Sequence, residues 1–163
     1  ITHAHPRTLL GCGIYALIVK NLLHSKDKKK AIEIGISQAH EYYQQQEKFK
    51  VEIPFYDGIF NLSIEGLPQE KIHSSGYIVH TLEASLWCLF RHQNANLIIL
   101  EAVNLGLDTD TTGSVAGGLA GLAFGMEDIP KEWMDVLALK DKIDNLINQF
   151  AEKCVKRIEE SSD

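Results

Sequence analysis

The sequence has few cysteines, no excess of basic charge and no long apolar run, and each shortage excludes a class of protein. Cys12, Cys88 and Cys154 are the three cysteines in 163 residues, and they stand far apart among apolar neighbours. An odd, scattered set does not form a disulfide framework, so we expect buried free thiols in a reducing compartment, the cytosol. The 16 basic and 22 acidic side chains give a net charge of -6. This balance argues against a nucleic-acid partner and against an anionic membrane surface.

Neither a membrane span nor an export signal is expected from the sequence. The longest uncharged stretch, residues 111–126, is too short and too rich in glycine to span a bilayer comfortably. The first six residues lack the basic and apolar regions of a signal peptide. They also lack a starting Met. We therefore expect the sequence to begin inside a longer gene product or after a cleavage.

No segment has the alternation of a β-strand, whereas apolar residues recur at helical spacing along most of the chain. Hydrophobic residues make up 45% of the sequence, which is enough for a real core. The first helix is expected over residues 6–23, and loops around one short helix, near residues 56–64, interrupt the pattern. We predict an all-α fold, a compact orthogonal helical bundle that forms a single domain over residues 1–163.

Glycines recur every four residues near the end of the predicted bundle, at Gly113, Gly117, Gly121 and Gly125. At this spacing they form a nearly continuous stripe along one helix. Each glycine costs roughly 1 kcal/mol of helix stability relative to alanine. The stripe therefore predicts a close approach by a neighbouring element, in particular at Gly117 and Gly121.

An acidic loop precedes this stripe and carries the clearest chemistry of the sequence. Asp108 and Asp110 alternate with threonine hydroxyls, after a helix that Gly106 is expected to end in a left-handed conformation. Carboxylate and hydroxyl oxygens on a short loop are the ligands that a hard cation such as Mg²⁺ requires. The alternative is structural, because Asp110 or Thr111 could simply cap the following helix.

Two known motifs begin with the same letters. An EF-hand starting at Asp108 would need a bidentate glutamate at its twelfth position, where this chain has Leu119, so that reading fails. A haloacid-dehalogenase-type phosphatase also uses Asp-x-Asp-x-Thr, which Asp108, Asp110 and Thr112 satisfy. That motif should follow a buried strand in an α/β fold, whereas here an amphipathic helix precedes it. The phosphatase is retained as a less favoured alternative.

Two longer segments carry a family resemblance. Residues 74–87 (SSGYIVHTLEASLW) and 101–121 (EAVNLGLDTDTTGSVAGGLAG) resemble the C-terminal signature of the ADP-ribosylglycohydrolases, which include the dinitrogenase-reductase-activating glycohydrolases. Thr2-His3 is similar to a Thr-His element in the middle of family members. The resemblance covers most of this chain but only the later part of the family domain.

The resemblance implies a function and assigns residues to it. It implies hydrolysis of an ADP-ribosyl N- or O-glycosidic bond at a site with two Mg²⁺ ions, where Mn²⁺ is also possible. Asp108 and Asp110 would be the catalytic residues, and with Thr111 they would ligate metal. His3 and Tyr77 would line the ADP-ribose pocket. The substrate would be an ADP-ribosylated protein or a small molecule that contains ADP-ribose.

The sequence departs from the family pattern by lacking an earlier Thr-Asp-Asp segment, an upstream acidic residue and a glycine-containing phosphate loop. The upstream part of the same domain is therefore an expected partner, and the isolated chain is expected to be inactive. The competing hypothesis is a non-catalytic, crystallin-like or partner-binding homologue. An upstream Thr-Asp-Asp segment in the parent gene would favour the enzyme.

Overall fold

The computed structural model describes residues 3–160, which form helices joined by short connections. No strand occurs within these residues, and the predicted all-α fold is confirmed. The α-helices are α1 (Pro6–Leu22), α2 (Lys28–Gln44), α3 (Asp57–Phe60), α4 (Ile78–Arg91), α5 (Ala95–Asn104), α6 (Thr109–Phe124), α7 (Lys131–Asp135) and α8 (Lys140–Glu160). Short 3₁₀ segments fill much of the interval between α2 and α4.

Local sequence signals explain several helix boundaries. Pro6 occupies the first position of α1, and Asp27 caps α2 by accepting a hydrogen bond from the Lys30 N–H at 3.0 Å. Asn94 caps α5 in the same way. As predicted, Gly106 follows the end of α5 in the left-handed region, with φ of 84°.

The chain folds into two compact units that divide after Asp128. In the first unit α4 is the central helix, and it packs against α1, α5 and α6 while α1 also packs along α2. Trp87 of α4 is fully buried and donates its indole N–H to the Leu67 carbonyl oxygen at 2.8 Å. The second unit contains α7 and α8. A single domain over residues 1–163 stays a prediction.

The glycines of α6 differ from one another in their surroundings. A Cβ on Gly113 would lie 2.8 Å from Cγ1 of Val103 in α5, so this position requires glycine unless Val103 moves. At Gly117 the nearest atom would be at 3.6 Å, an ordinary contact, and at Gly121 no atom lies within 4 Å. The predicted close approach is therefore confirmed at Gly113 and wrong at Gly117 and Gly121.

The cysteines also differ in exposure. All three are free thiols, but only Cys88 is buried, whereas Cys12 and Cys154 are exposed. The prediction of buried thiols is therefore wrong at two of three positions, because apolar sequence neighbours do not determine which side of a helix faces the core. Within residues 3–160, no helix combines the length and apolar character that crossing a membrane requires.

Candidate active site

The acidic loop lies between α5 and α6 and is built on two consecutive left-handed residues. Gly106 has φ of 84° and Leu107 has φ of 55°. The Asp108 N–H then donates to the Ser74 carbonyl oxygen at 3.0 Å, which ties the loop to the segment before α4. Asp108 occupies the position before α6, whereas Asp110 and Thr111 lie inside its first turn. Neither of them is the N-cap, so the capping alternative is wrong for both.

The predicted ligands surround one carboxylate. The Thr111 hydroxyl, which can donate a hydrogen bond to the Asp108 carboxyl group, and next the neighbouring Asp110 side chain hold the pKa of Asp108 below its usual value. Asp108 is therefore ionised at neutral pH. The structure thus brings Asp108, Asp110 and Thr111 together at the N-terminus of α6.

A cleft of about 500 Å³ opens beside this loop, where three helices begin. The start of each helix supplies part of the lining. The lining residues are His3, His5, Arg7 and Thr8 around the start of α1, Gly76, Tyr77, Ile78 and Thr81 around the start of α4, and Thr111 and Val115 of α6.

The cleft gathers three of the predicted site residues. His3, Tyr77 and Thr111 all line it, although they are far apart in sequence. Asp108 and Asp110 do not line the cleft. The Asp108 side chain does lie against Gly76, and Gly76 is a lining residue. Thr2, the other member of the Thr-His element, lies outside the described residues.

Arg7 is a cleft residue that the sequence did not indicate. Its Nη1 donates to the Tyr77 hydroxyl at 2.8 Å, and its Nε donates to Oε2 of Glu52 at 2.7 Å. The guanidinium also lies over the Phe55 ring, 3.3 Å from the ring centroid. Because these partners are 45 or more residues away from Arg7, no local pattern could have identified the cluster.

His80 is a second residue that the sequence did not indicate. Its Nδ1 lies 2.8 Å from the Ser75 hydroxyl, and its ring contacts the rings of Tyr77 and His73. Partial burial, together with His73, lowers the pKa of His80. The imidazole is therefore neutral at pH 7, and a neutral ring can accept a hydrogen bond from Ser75.

Asp108, Asp110 and Thr111 could provide some of the ligands of a hard cation, but not a complete coordination shell. Asp108, Asp110 and Thr111 supply only oxygen ligands, which Mg²⁺ and Mn²⁺ prefer. Next to them, the Thr112 hydroxyl is buried without a hydrogen-bond partner. Among residues 3–160 there is no group of three or more His, Cys, Asp or Glu side chains arranged to hold a metal. Further ligands would have to come from elsewhere.

Comparison with known proteins shows which proteins the chain resembles. The family model described as ADP-ribosylglycohydrolase matches residues 1–160. ADP-ribosylarginine hydrolase Tri1 of Serratia proteamaculans (strain 568) is 28% identical over 158 residues, which are 91% of this chain and 37% of the relative. The Tri1 protein of Pseudomonas putida (strain GB-1) is 38% identical over 85 residues, 52% of this chain and 23% of the relative.

A third relative has a different named substrate. The ADP-ribosyl-[dinitrogen reductase] glycohydrolase of Rhodospirillum rubrum is 31% identical over 140 residues, 86% of this chain and 41% of the relative. The chain thus spans about two fifths or less of the length of these relatives.

An all-α fold, in which a helix and not a strand precedes the Asp-x-Asp loop, excludes the phosphatase alternative. With its family model matched over nearly its whole length, the chain belongs to the ADP-ribosylglycohydrolase family.

Proposed function

We propose that this chain forms part of the active site of a metal-dependent hydrolase that releases ADP-ribose from an ADP-ribosyl N- or O-glycosidic bond. One observation carries the proposal. The loop with Asp108, Asp110 and Thr111 adjoins a cleft at which α1, α4 and α6 all begin. A metal site and an anion site would therefore lie side by side.

The three helix starts suit the pyrophosphate of ADP-ribose. The N-terminus of a helix carries a partial positive charge and unpaired N–H groups, so it attracts anions. Three such ends supply local positive potential in a chain whose net charge is -6, whereas the charge of Arg7 is balanced by its ion pair with Glu52. His3 and Tyr77 are assigned to binding ADP-ribose, and Arg7 and Glu52 hold the Tyr77 ring in place through the guanidinium.

Asp108, Asp110 and Thr111 are assigned as metal ligands in the proposed enzyme. Two magnesium ions, once bound, would orient the substrate hydroxyls, activate water and offset negative charge. Asp108 and Asp110 would contribute to catalysis as ligands, and not as the acid and base pair of an ordinary glycosidase. The low pKa of Asp108 suits this role, because a protonated carboxyl group is a poor ligand.

The names of the relatives indicate which substrate to test first. Two relatives are named for ADP-ribosylarginine and one for ADP-ribosylated dinitrogen reductase. We therefore propose an ADP-ribosylated protein as the substrate, with the bond to arginine as the first candidate and a small ADP-ribose compound as the second. The cytosol is the proposed compartment.

A non-catalytic role is the competing proposal. The specific observation in its favour is that the described residues provide only part of a metal ligand set. In that case the cleft would bind ADP-ribose or a partner without hydrolysing it.

Release of ADP-ribose from an ADP-ribosylarginine peptide separates the two proposals. The protein should be assayed alone and joined to an upstream segment that contains Thr-Asp-Asp, in each case with Mg²⁺ and with EDTA. We expect little or no release by the chain alone, and metal-dependent release by the longer protein. Equal release in EDTA would refute the metal dependence, and no release by the longer protein would favour the non-catalytic role.

A further inference from the structure

Ser74, Ser75 and Gly76, referred to below as the 74–76 segment, lie directly against the acidic loop. Ser74 is buried, with 2% of its surface exposed. Its hydroxyl lies within hydrogen-bond distance of two carbonyl oxygens, of Gly106 at 3.0 Å and of Leu105 at 3.3 Å. Its own carbonyl oxygen accepts the Asp108 N–H at 3.0 Å. Ser74 therefore fixes the backbone on both sides of Leu107.

The other side of the 74–76 segment is fastened to α4. The Thr81 hydroxyl donates to the Ser75 carbonyl oxygen at 3.1 Å, and the Ser75 hydroxyl pairs with Nδ1 of His80 at 2.8 Å. Most residues of α4 between Val79 and Leu89 are buried. The 74–76 segment thus connects the acidic loop to the most buried helix of the first unit.

Gly76 leaves space for the Asp108 side chain. A Cβ on Gly76 would collide with Oδ2 of Asp108, and its three nearest atoms all belong to the Asp108 side chain. Gly76 is not among the glycines with positive φ, which are Gly106 and Gly125 in the described part of the chain. Its backbone conformation is therefore open to alanine, and the missing side chain serves the carboxylate alone.

We propose that Ser74 and Gly76 are positioning residues that set the direction of the Asp108 carboxylate: Ser74 fixes the backbone of the loop, and Gly76 leaves open the space that Oδ2 occupies. This inference rests on the proposed function, because it gives Asp108 a direction that a bound cation would need. Neither residue is assigned as a metal ligand, although Gly76 also lines the cleft.

Gly76→Ala separates positioning from a general structural role. The added methyl group meets the end of a short, half-buried side chain, which can rotate away at little cost in stability. We therefore expect the variant to fold with a melting temperature within about 2 °C of the parent and to bind Mn²⁺ roughly tenfold more weakly or worse, as is typical when the support of a ligand is lost. Gly66→Ala is the matched control, because no atom lies within 4 Å of a Cβ at that position.

The affinity for Mn²⁺ alone should be measured by electron paramagnetic resonance on the parent chain and on both variants. Ser74→Ala provides a second test: loss of its hydroxyl hydrogen bonds should weaken Mn²⁺ binding and speed hydrogen exchange at the Asp108 N–H. Unchanged Mn²⁺ affinity in Gly76→Ala would overturn the inference. So would unfolding of Gly76→Ala, because the glycine would then serve packing instead of the carboxylate.

A readout without metal distinguishes failure of this inference from failure of the proposed function. If the parent chain does not bind Mn²⁺, the metal assignment fails, and the NMR resonance of the Asp108 side-chain carboxyl carbon decides the inference. In the metal-free protein, Gly76→Ala should shift this resonance, whereas Gly66→Ala should leave it in place. An unshifted resonance in Gly76→Ala would show that Gly76 does not direct the carboxylate.

Discussion

Leu107, which directly precedes Asp108, is poorly suited to its backbone conformation. Leu107 has φ of 55°, in a region that costs an L residue roughly 1–2 kcal/mol. Its side chain is 81% exposed, so burial does not offset this cost. Strain of this kind is often found beside functional sites, where the surrounding structure enforces it. Here the hydrogen bonds from Ser74 to the residues on both sides of Leu107 hold Leu107 in the left-handed conformation.

Leu107→Asn should stabilise the protein. Asparagine tolerates the left-handed conformation better than leucine does, so we expect the free energy of unfolding to rise by about 0.5–1 kcal/mol. Urea denaturation measures this change. Leu100→Asn is the control, because Leu100 is 39% exposed within α5, and there the substitution should lower stability through its poorer helix propensity. A Leu107→Asn protein less stable than the parent would contradict the strain argument.

The three thiols should react in two classes. Burial raises the pKa of the Cys88 thiol to about 12, whereas Cys12 and Cys154 are exposed. Because the thiolate is the reactive form, iodoacetamide at pH 8 should label Cys12 and Cys154 in the native protein and leave Cys88 unmodified. Mass spectrometry identifies the labelled peptides, and guanidinium should release Cys88 for labelling. Native labelling of Cys88 would mean that α4 is less buried than described.

At the scale of helices, the α6 glycines offer a direct comparison within one element. Gly113→Ala would bring a methyl group against Val103, and overpacking of this kind typically costs about 1–3 kcal/mol. Gly121→Ala meets no atom within 4 Å and should gain up to about 1 kcal/mol from helix propensity. Thermal unfolding of the two variants should therefore shift in opposite directions. A shift of the same sign and size in both would contradict the packing of α5 on α6.

The helices were predictable from sequence because their signals are local. Apolar spacing and the proline at the start of α1 each act within a few residues, and the observed α1, Pro6–Leu22, is one residue shorter than the predicted helix. The function of the glycine stripe was not predictable in detail. Spacing places the glycines on one face, but only the partner helix decides which of them is contacted.

In the candidate site, too, local motifs could be predicted from the sequence and contacts between distant segments could not. Asp108, Asp110 and Thr111 lie within four residues and could be recognised as a motif. Arg7 and the role of Gly76 could not, because each depends on a contact between segments that are distant in sequence. Tyr77 was proposed from the family resemblance, yet its hydrogen bond to Arg7 is evident only once the start of α1 lies beside α4.

At the scale of the whole molecule, the net charge and the helix N-termini at the cleft would have opposite effects on an anionic ligand. The net charge of -6 would repel an anionic ligand at long range, whereas under the proposed function the starts of α1, α4 and α6 would attract it within the cleft. A bound cation would strengthen that local attraction. The family model matches residues 1–160, which include all the residues that line the cleft. The chain nevertheless covers only part of the length of its relatives.

Calorimetric titration with Mn²⁺ tests the central claim most directly, namely that the acidic loop binds a divalent cation. The parent chain should bind Mn²⁺ weakly, because it supplies only part of the ligand set, and Asp110→Asn should lose that binding while it keeps the helical circular dichroism of the parent. The substitution preserves the shape of the side chain and removes one negative charge from the site. Asp141→Asn, on the exposed surface of α8, is the control and should bind like the parent. Equal Mn²⁺ affinity in Asp110→Asn and in the parent chain would contradict the assignment of the loop as a metal site.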